Sequence, residues 1–236
     1  MTWTRCAHPL LILRLSNASP APYGRLSVAI KAVVFDIGGV LERVDDDSWP
    51  ERWVQRWEDR LGLVSGALAA GMAEHAPTGS VVTGEVSEAQ MRERYTRALG
   101  LDDATADQMM ADMWDAYCGE LDVELRDFFA GLRPNYIIAI LSNSADGARR
   151  EEQRRHGFED LVDTIIYSHE AGLAKPDPAI YHLTCERLGV EPGEVVFLDD
   201  NEPNVVAARE LGWHCVVHRT TPESILALNE ILGREA

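Results

Sequence analysis

Positive charge, paired cysteine motifs and long apolar runs are all scarce in this sequence. It has 22 lysines and arginines against 39 acidic residues, a net charge of -17. An acidic protein repels phosphate backbones and anionic lipids, which argues against nucleic acid or a membrane surface as a partner. Its longest apolar runs are far too short to cross a bilayer. The four cysteines, which show no C-x-x-C or zinc spacing, indicate a reduced, cytoplasmic protein.

Acidic residues are also absent from the N-terminal segment, since the first in the chain is Asp36. The stretch "SNASPAPYG" has the composition of a loop. We therefore expect residues 1–28 to be a disordered extension. Alternatively, they are the product of a start codon placed too early, with Val28 near the true beginning.

Short apolar segments alternate with helical patterns over much of the chain. Such segments are typical of buried parallel strands. Strands that alternate with helices predict a doubly wound, Rossmann-like α/β core with a parallel five-stranded sheet. The predicted strands are "KAVVFD" (31–36), "YIIAILS" (136–142), "TIIYS" (164–168), "VVFLD" (195–199) and "HCVVH" (214–218).

About 90 residues with helical patterns separate the first two predicted strands. We predict that residues 44–133 form a helical cap inserted into a core made of 29–43 and 134–236. Ser87 and Gln90 form a capping box at the start of one cap helix. Methionine and aromatic stripes in this region are typical of a packed core. Residues 76–86 are either a specificity loop or a plain connector.

Reactive polar residues follow three of the predicted strands, and a lysine lies in a loop nearby. In open α/β sheets, ligands bind beyond the carboxyl ends of the strands. Two adjacent carboxylates, as in "VVFLDD", repel each other unless a cation or hydrogen-bond donors lie between them. The candidate residues are Asp36, Ser142 with Asn143, Lys175, and Asp199 with Asp200.

These residues stand in four stretches that resemble the motifs of the haloacid dehalogenase-like hydrolase superfamily. The stretches are "VVFDIGGVL", "IAILSNS", "GLAKPDPAIY" and "VVFLDDNEPNVVAARELG". The resemblance begins near Ala29 and is to the branch, subfamily I, with a helical cap after the first strand. It is greatest for sugar-phosphate phosphatases of the α-glucose-1-phosphate phosphatase type.

The resemblance implies a Mg²⁺-dependent phosphomonoester hydrolase that acts on a small phosphorylated metabolite, such as a sugar phosphate. Asp36 would be the nucleophile and would form an aspartyl-phosphate. The implied metal ligands are Asp36, Asp200, the Gly38 carbonyl and, directly or indirectly, Asp199. The implied phosphate-binding groups are Ser142, the Asn143 amide and Lys175, which also pairs with Asp36. We expect a monomer or a homodimer.

One position departs from the family pattern. Gly38 stands where most phosphatases of the superfamily have an aspartate that protonates the leaving group. Candidate substitutes are Glu42, one of Asp45–Asp47, and His169. Two other functions stay open: a metal-free haloacid dehalogenase, and a regulatory module that binds phosphate and metal without catalysis.

Overall fold

A parallel sheet of five strands forms the centre of the fold. The structure, a computed structural model, describes residues 28–43, 48–76 and 78–234. All five predicted strands are confirmed, with small changes at their ends. In chain order the strands are β1 (Ala32–Phe35), β2 (Glu42–Arg43), β3 (Glu120–Leu121), β4 (Ile137–Ser142), β5 (Thr164–Tyr167), β6 (Val195–Asp199) and β7 (His214–Val217).

Helices cover the sheet and fill the insertion after β1. Their ends follow sequence signals: Asp177 caps the helix that begins at Pro178, and the capping box of Ser87 and Gln90 is present. The helices are α1 (Trp49–Leu61), α2 (Ala67–Glu74), α3 (Glu88–Leu99), α4 (Asp103–Tyr117), α5 (Val123–Ala130), α6 (Ala148–His156), α7 (Phe158–Leu161), α8 (Ser168–Ala171), α9 (Pro178–Leu188), α10 (Glu202–Glu210) and α11 (Thr221–Leu232).

The order of the strands places the switch point of the sheet at β1. The sheet runs β5-β4-β1-β6-β7, and every pairing in it is parallel. From β1 the chain builds one side of the sheet through β4 and β5, and then returns to build the other through β6 and β7. A crevice therefore opens between the carboxyl ends of β1 and its neighbours, where open α/β sheets bind ligands.

Both faces of the sheet are buried, as the continuous apolar strands predict. Val33 and Phe35 point to the face covered by α5 and α11, whereas Val34 points to the face covered by α9 and α10. The ring of Phe35 stacks on that of Phe129, with 4.0 Å between their centroids. These contacts hold the end of β1 rigidly, directly before Asp36.

The insertion forms a helical unit with its own apolar core. Trp53, Trp57, Tyr95 and Met109 are buried there, which confirms the stripes of methionine and aromatic residues as core. Its apolar centre includes no residue of the sheet. This separation favours a cap that packs independently of the core.

Two features of the insertion were not predicted. A two-residue antiparallel pairing of β2 with β3 joins the segments that enter and leave the cap. In addition, α5 lies within the range predicted as cap, but its Leu125 and Phe129 pack beneath the sheet with Val33. The boundaries 44 and 133 stay predictions, and these contacts favour placing the second boundary near residue 121.

No described helix is both long enough and apolar enough to cross a membrane. The described cysteines, Cys118, Cys185 and Cys215, are buried and form no disulfide. The predicted extension, apart from Val28, lies outside the described residues.

Candidate active site

Asp36 follows β1 at the switch point of the sheet. Its amide donates to the carbonyl of Leu198 at 2.9 Å, which extends the β1–β6 ladder by one residue and fixes its backbone. Its Oδ1 accepts from the Ile37 amide at 2.8 Å. Burial, opposed by Lys175 and reinforced by Asp199, raises the pKa of Asp36 to about 7. Burial is therefore the main obstacle to ionisation of this carboxyl, and a further cation beside it would favour the carboxylate.

Lys175 lies between two carboxylates, with a side chain that is 0% exposed. Its Nζ is 2.9 Å from Asp36 Oδ1 and 2.7 Å from Asp199 Oδ2. It also donates to the carbonyl of Leu141 at 2.9 Å, so all three N–H groups have acceptors. Burial opposes the charge, but Asp36 and Asp199 outweigh it and raise the pKa of Lys175. The lysine is therefore a fixed cation.

Asp199 is fully buried and held by hydrogen bonds on both oxygens. Oδ1 accepts from the Asn201 amide at 2.8 Å, and the Asn204 side-chain amide donates to Oδ1 and Oδ2 at 3.1 and 3.2 Å. Since Lys175 occupies Oδ2 as well, this carboxylate is well satisfied by protein groups. Its contacts favour a role in orienting Lys175 over direct binding of a metal.

Asp200 approaches the backbone just beyond Asp36. Gly39 has φ +73°, and a Cβ added to it would lie 2.3 Å from Asp200 Oδ2. Only glycine permits this approach, because its backbone lies in the left-handed region and any side chain would displace the carboxylate. At Gly38, however, φ is not positive and an added Cβ would have nothing within 4 Å.

The acidic residues form a donor set suited to a divalent cation. Asp36, Asp199 and Asp200 each offer an oxygen, and these atoms all lie within 4.8 Å of one another. Lys175 is in contact with two of these three acidic side chains, Asp36 and Asp199. Carboxylate oxygens are the ligands that Mg²⁺ prefers in proteins. The residues present therefore fit the cation that the sequence predicts.

Ser142 and Asn143 end β4 beside the same crevice. Ser142 is buried and lines the cavity. The side chain of Asn143 exchanges two 2.8 Å hydrogen bonds with the backbone of Lys175, one to its carbonyl and one from its amide. This side chain therefore fixes the loop that carries the lysine. A role for the Asn143 backbone amide in binding phosphate stays a prediction.

These residues surround a cavity of about 510 Å³ that also reaches the cap. The sequence analysis missed several groups in its wall: Trp49, Tyr117, Glu152, Asn201 and Asn204. Asn204 had a signal, since it ends the "DDNEPN" stretch. Tyr117 belongs to the methionine and aromatic stripes that were predicted to form packed core. Its ring contacts that of Trp49 edge-on, with 6.0 Å between the centroids. Glu152 had no signal, because it lies in the highly charged segment "RREEQRRH".

The proposed substitutes for the missing acid have different positions. Glu42 is buried and lines the cavity, whereas Asp45–Asp47 lie outside the described residues. His169 is not in the cavity wall, and its Nδ1 is 2.7 Å from Ser144 Oγ. Residues 78–86 are not in the wall either. Within this segment the Val82 carbonyl accepts a hydrogen bond from the Ser168 hydroxyl, which favours the connector alternative.

The comparisons with known proteins agree with this geometry. Residues 30–212 match the family model described as haloacid dehalogenase-like hydrolase. The chain is 27% identical to a D-ribitol-5-phosphate phosphatase from Bacteroides thetaiotaomicron, over 78% of this chain and 89% of that protein. It is 30% identical to bifunctional epoxide hydrolase 2 from Sus scrofa over 87% of this chain. It covers only 39% of that longer protein.

A solved structure shares the fold. A HAD family enzyme from Bacteroides thetaiotaomicron, in complex with magnesium and inorganic phosphate, superposes with a TM-score of 0.66. The two chains are 23% identical, and the match covers 81% of this chain and 95% of that one.

Proposed function

Because the chain belongs to the haloacid dehalogenase-like hydrolases, we propose that it is a Mg²⁺-dependent phosphomonoester hydrolase. One observation carries the proposal: the buried contact of Lys175 with Asp36 and Asp199, within the acidic cluster that Asp200 completes. The alignment with a phosphatase over most of both chains supports it. The proposed substrate is a small phosphorylated metabolite, and a sugar phosphate is the first class to test.

Asp36 has the position that a nucleophile requires. It is 8% exposed and lines the cavity at the switch point. Lys175 binds its Oδ1 and holds it in one orientation. In the proposed reaction a carboxylate oxygen of Asp36 attacks phosphorus, and water then hydrolyses the aspartyl-phosphate.

Neutralisation of charge is the main requirement of this reaction, since an anionic nucleophile approaches an anionic phosphate. Bound Mg²⁺ would supply most of it, held by Asp36, Asp200 and the Gly38 carbonyl. Lys175 and Ser142 would bind phosphate oxygens, while Asp199 and Asn143 keep Lys175 in place. The cap would exclude water through Trp49 and Tyr117 in the cavity wall.

The test is release of phosphate from a panel of sugar phosphates, with and without Mg²⁺. We expect activity that requires Mg²⁺, stops with EDTA and is abolished by Asp36→Asn. Activity on 2-haloacids that persists in EDTA would instead support the dehalogenase. Equal background from wild type and Asp36→Asn across the panel would support the non-catalytic module.

A further inference from the structure

Two buried glutamates lie in the wall of the cavity that contains Asp36. Glu42 belongs to β2, at the stem of the cap, and Glu152 belongs to α6 in the core. Glu42 is 1% exposed and Glu152 is fully buried. Carboxyl groups are rarely buried to this extent unless they are paired or protonated.

Glu42 has a polar neighbour at each of its carboxyl oxygens. Its Oε2 accepts from the Gly119 amide at 3.1 Å. His156 Nε2 lies 3.1 Å from its Oε1. These contacts tie β2 to the residue before β3 and to the end of α6.

Among the described residues, the carboxyl of Glu152 has a single hydrogen-bond donor. Its Oε2 accepts from the hydroxyl of Tyr167, but its Oε1 has no hydrogen-bond partner among the described residues. Arg149, on the same helix, is engaged by Glu159 and Glu170. Burial and the charge of Glu42, opposed by the Tyr167 hydrogen bond, raise the pKa of Glu152 to about 8. At neutral pH Glu152 is therefore a carboxylic acid.

A carboxyl group in the cavity wall that burial and a neighbouring acid keep protonated at neutral pH is in the state that a general acid requires. We propose that Glu152 donates the proton to the leaving-group oxygen, the role for which Gly38 has no side chain. The inference rests on the proposed phosphatase function. Glu42 is then a positioning residue, since its charge keeps Glu152 protonated.

The proton transfers balance over the two steps of the reaction. As an Asp36 oxygen bonds to phosphorus, the bond from phosphorus to the leaving oxygen breaks. That oxygen takes the proton of Glu152 and departs as an alcohol. In the second step water attacks phosphorus, its proton returns to the Glu152 carboxylate, and the bond to Asp36 breaks. Phosphate is released, and both carboxyl groups regain their starting states.

The first test compares two substrates of similar shape, 4-nitrophenyl phosphate and phenyl phosphate, on wild type and Glu152→Gln. Nitrophenolate leaves without a proton, whereas phenolate needs one. In the first turnover, before the second step needs a base, we expect Glu152→Gln to slow the release of phenol by about 10²–10⁴-fold and to leave the release of nitrophenolate nearly unchanged. Equal losses on both substrates would indicate a structural role and overturn the inference. An inactive wild type would overturn the phosphatase function itself.

A rescue experiment distinguishes the loss of proton donation from misfolding of the variant. Because a Cβ added at Gly38 would have nothing within 4 Å, Gly38→Asp can supply a carboxyl from the position that carries the acid in most phosphatases of the superfamily. In the Glu152→Gln background we expect Gly38→Asp to raise the rate on phenyl phosphate at least tenfold. If the double variant stays as slow as Glu152→Gln, the lost function is not proton donation.

The pH profile provides a readout that a structural role does not move. The groups around Glu152 are Asp36 after β1, Glu42, Tyr117 of α4 and the adjacent Cys118, Tyr167 of β5, and Arg149. The wild-type rate on phenyl phosphate should fall as pH rises through about 8. Glu42→Gln removes a negative charge and should move this fall to lower pH. Tyr167→Phe removes a donor and should move it to higher pH. Profiles that coincide would overturn the assignment.

Discussion

Loss of Lys175 should destabilise the whole core, because this lysine compensates two buried carboxylates. Its side chain is 0% exposed and contacts Asp36 at 2.9 Å and Asp199 at 2.7 Å. Lys175→Met keeps much of the aliphatic volume but leaves both carboxylates without their cation. Removal of one partner from a buried pair costs about 3–5 kcal/mol, and two carboxylates share this partner. We expect a loss at the upper end of that range.

The measurement is urea unfolding at pH 7, in EDTA so that no divalent cation replaces the ammonium group. Asp199→Asn in the Lys175→Met background is the matched control. It removes one of the two uncompensated charges, so part of the lost free energy of unfolding should return. A loss below about 1 kcal/mol, typical of an exposed ion pair, would refute the reasoning. So would a double variant less stable than Lys175→Met alone.

Three further changes probe other parts of the structure. Gly39→Ala puts a Cβ 2.3 Å from Asp200 Oδ2, so the Mg²⁺ concentration needed for half-maximal phosphate release should rise at least tenfold. An unchanged concentration would contradict the role of this close approach in placing Asp200. Glu152 has a pKa of about 8 in the folded chain against an ordinary 4.5, so its contribution to stability is complete below about pH 4.5 and is lost as pH rises through about 8. The free energy of unfolding in denaturant should therefore decline across that range, and Glu152→Gln should reduce the decline. Ser87→Ala removes the capping box of α3 and should cost about 1 kcal/mol in thermal unfolding without changing turnover, which a loss of activity would contradict.

Most of the core could be predicted because its signals are local. Each central strand is apolar throughout, since it is covered on both faces, and Gly189 and Asp177 mark the ends of α9. The pairing of β2 with β3 could not be predicted, because two residues such as Glu42 and Arg43 carry no periodicity. The same limit affects α5. Its amphipathic pattern shows a buried face, but not whether the sheet or the cap covers it.

Residues of the candidate site were predictable where they follow strands. Asp36, Ser142 and Asp199 are placed together by the parallel sheet alone, since the carboxyl ends of its strands share one edge. The structure also shows that the side chain of Asn143 is committed to the backbone of Lys175. No local pattern specifies such a contact across 32 residues.

The sequence by itself determined the sheet, the cap insertion and the set of charged groups at the switch point, because strand composition and order specify them. Only the tertiary structure decided that Glu152 keeps its proton. Glu42 and Glu152 are chemically alike in the sequence, and neither differs from the many exposed glutamates. Folding buries Glu152 near Glu42 and leaves little but a tyrosine hydroxyl to donate to its carboxyl. Protonation depends on burial and on neighbours distant in the chain, and both exist only once the chain has folded.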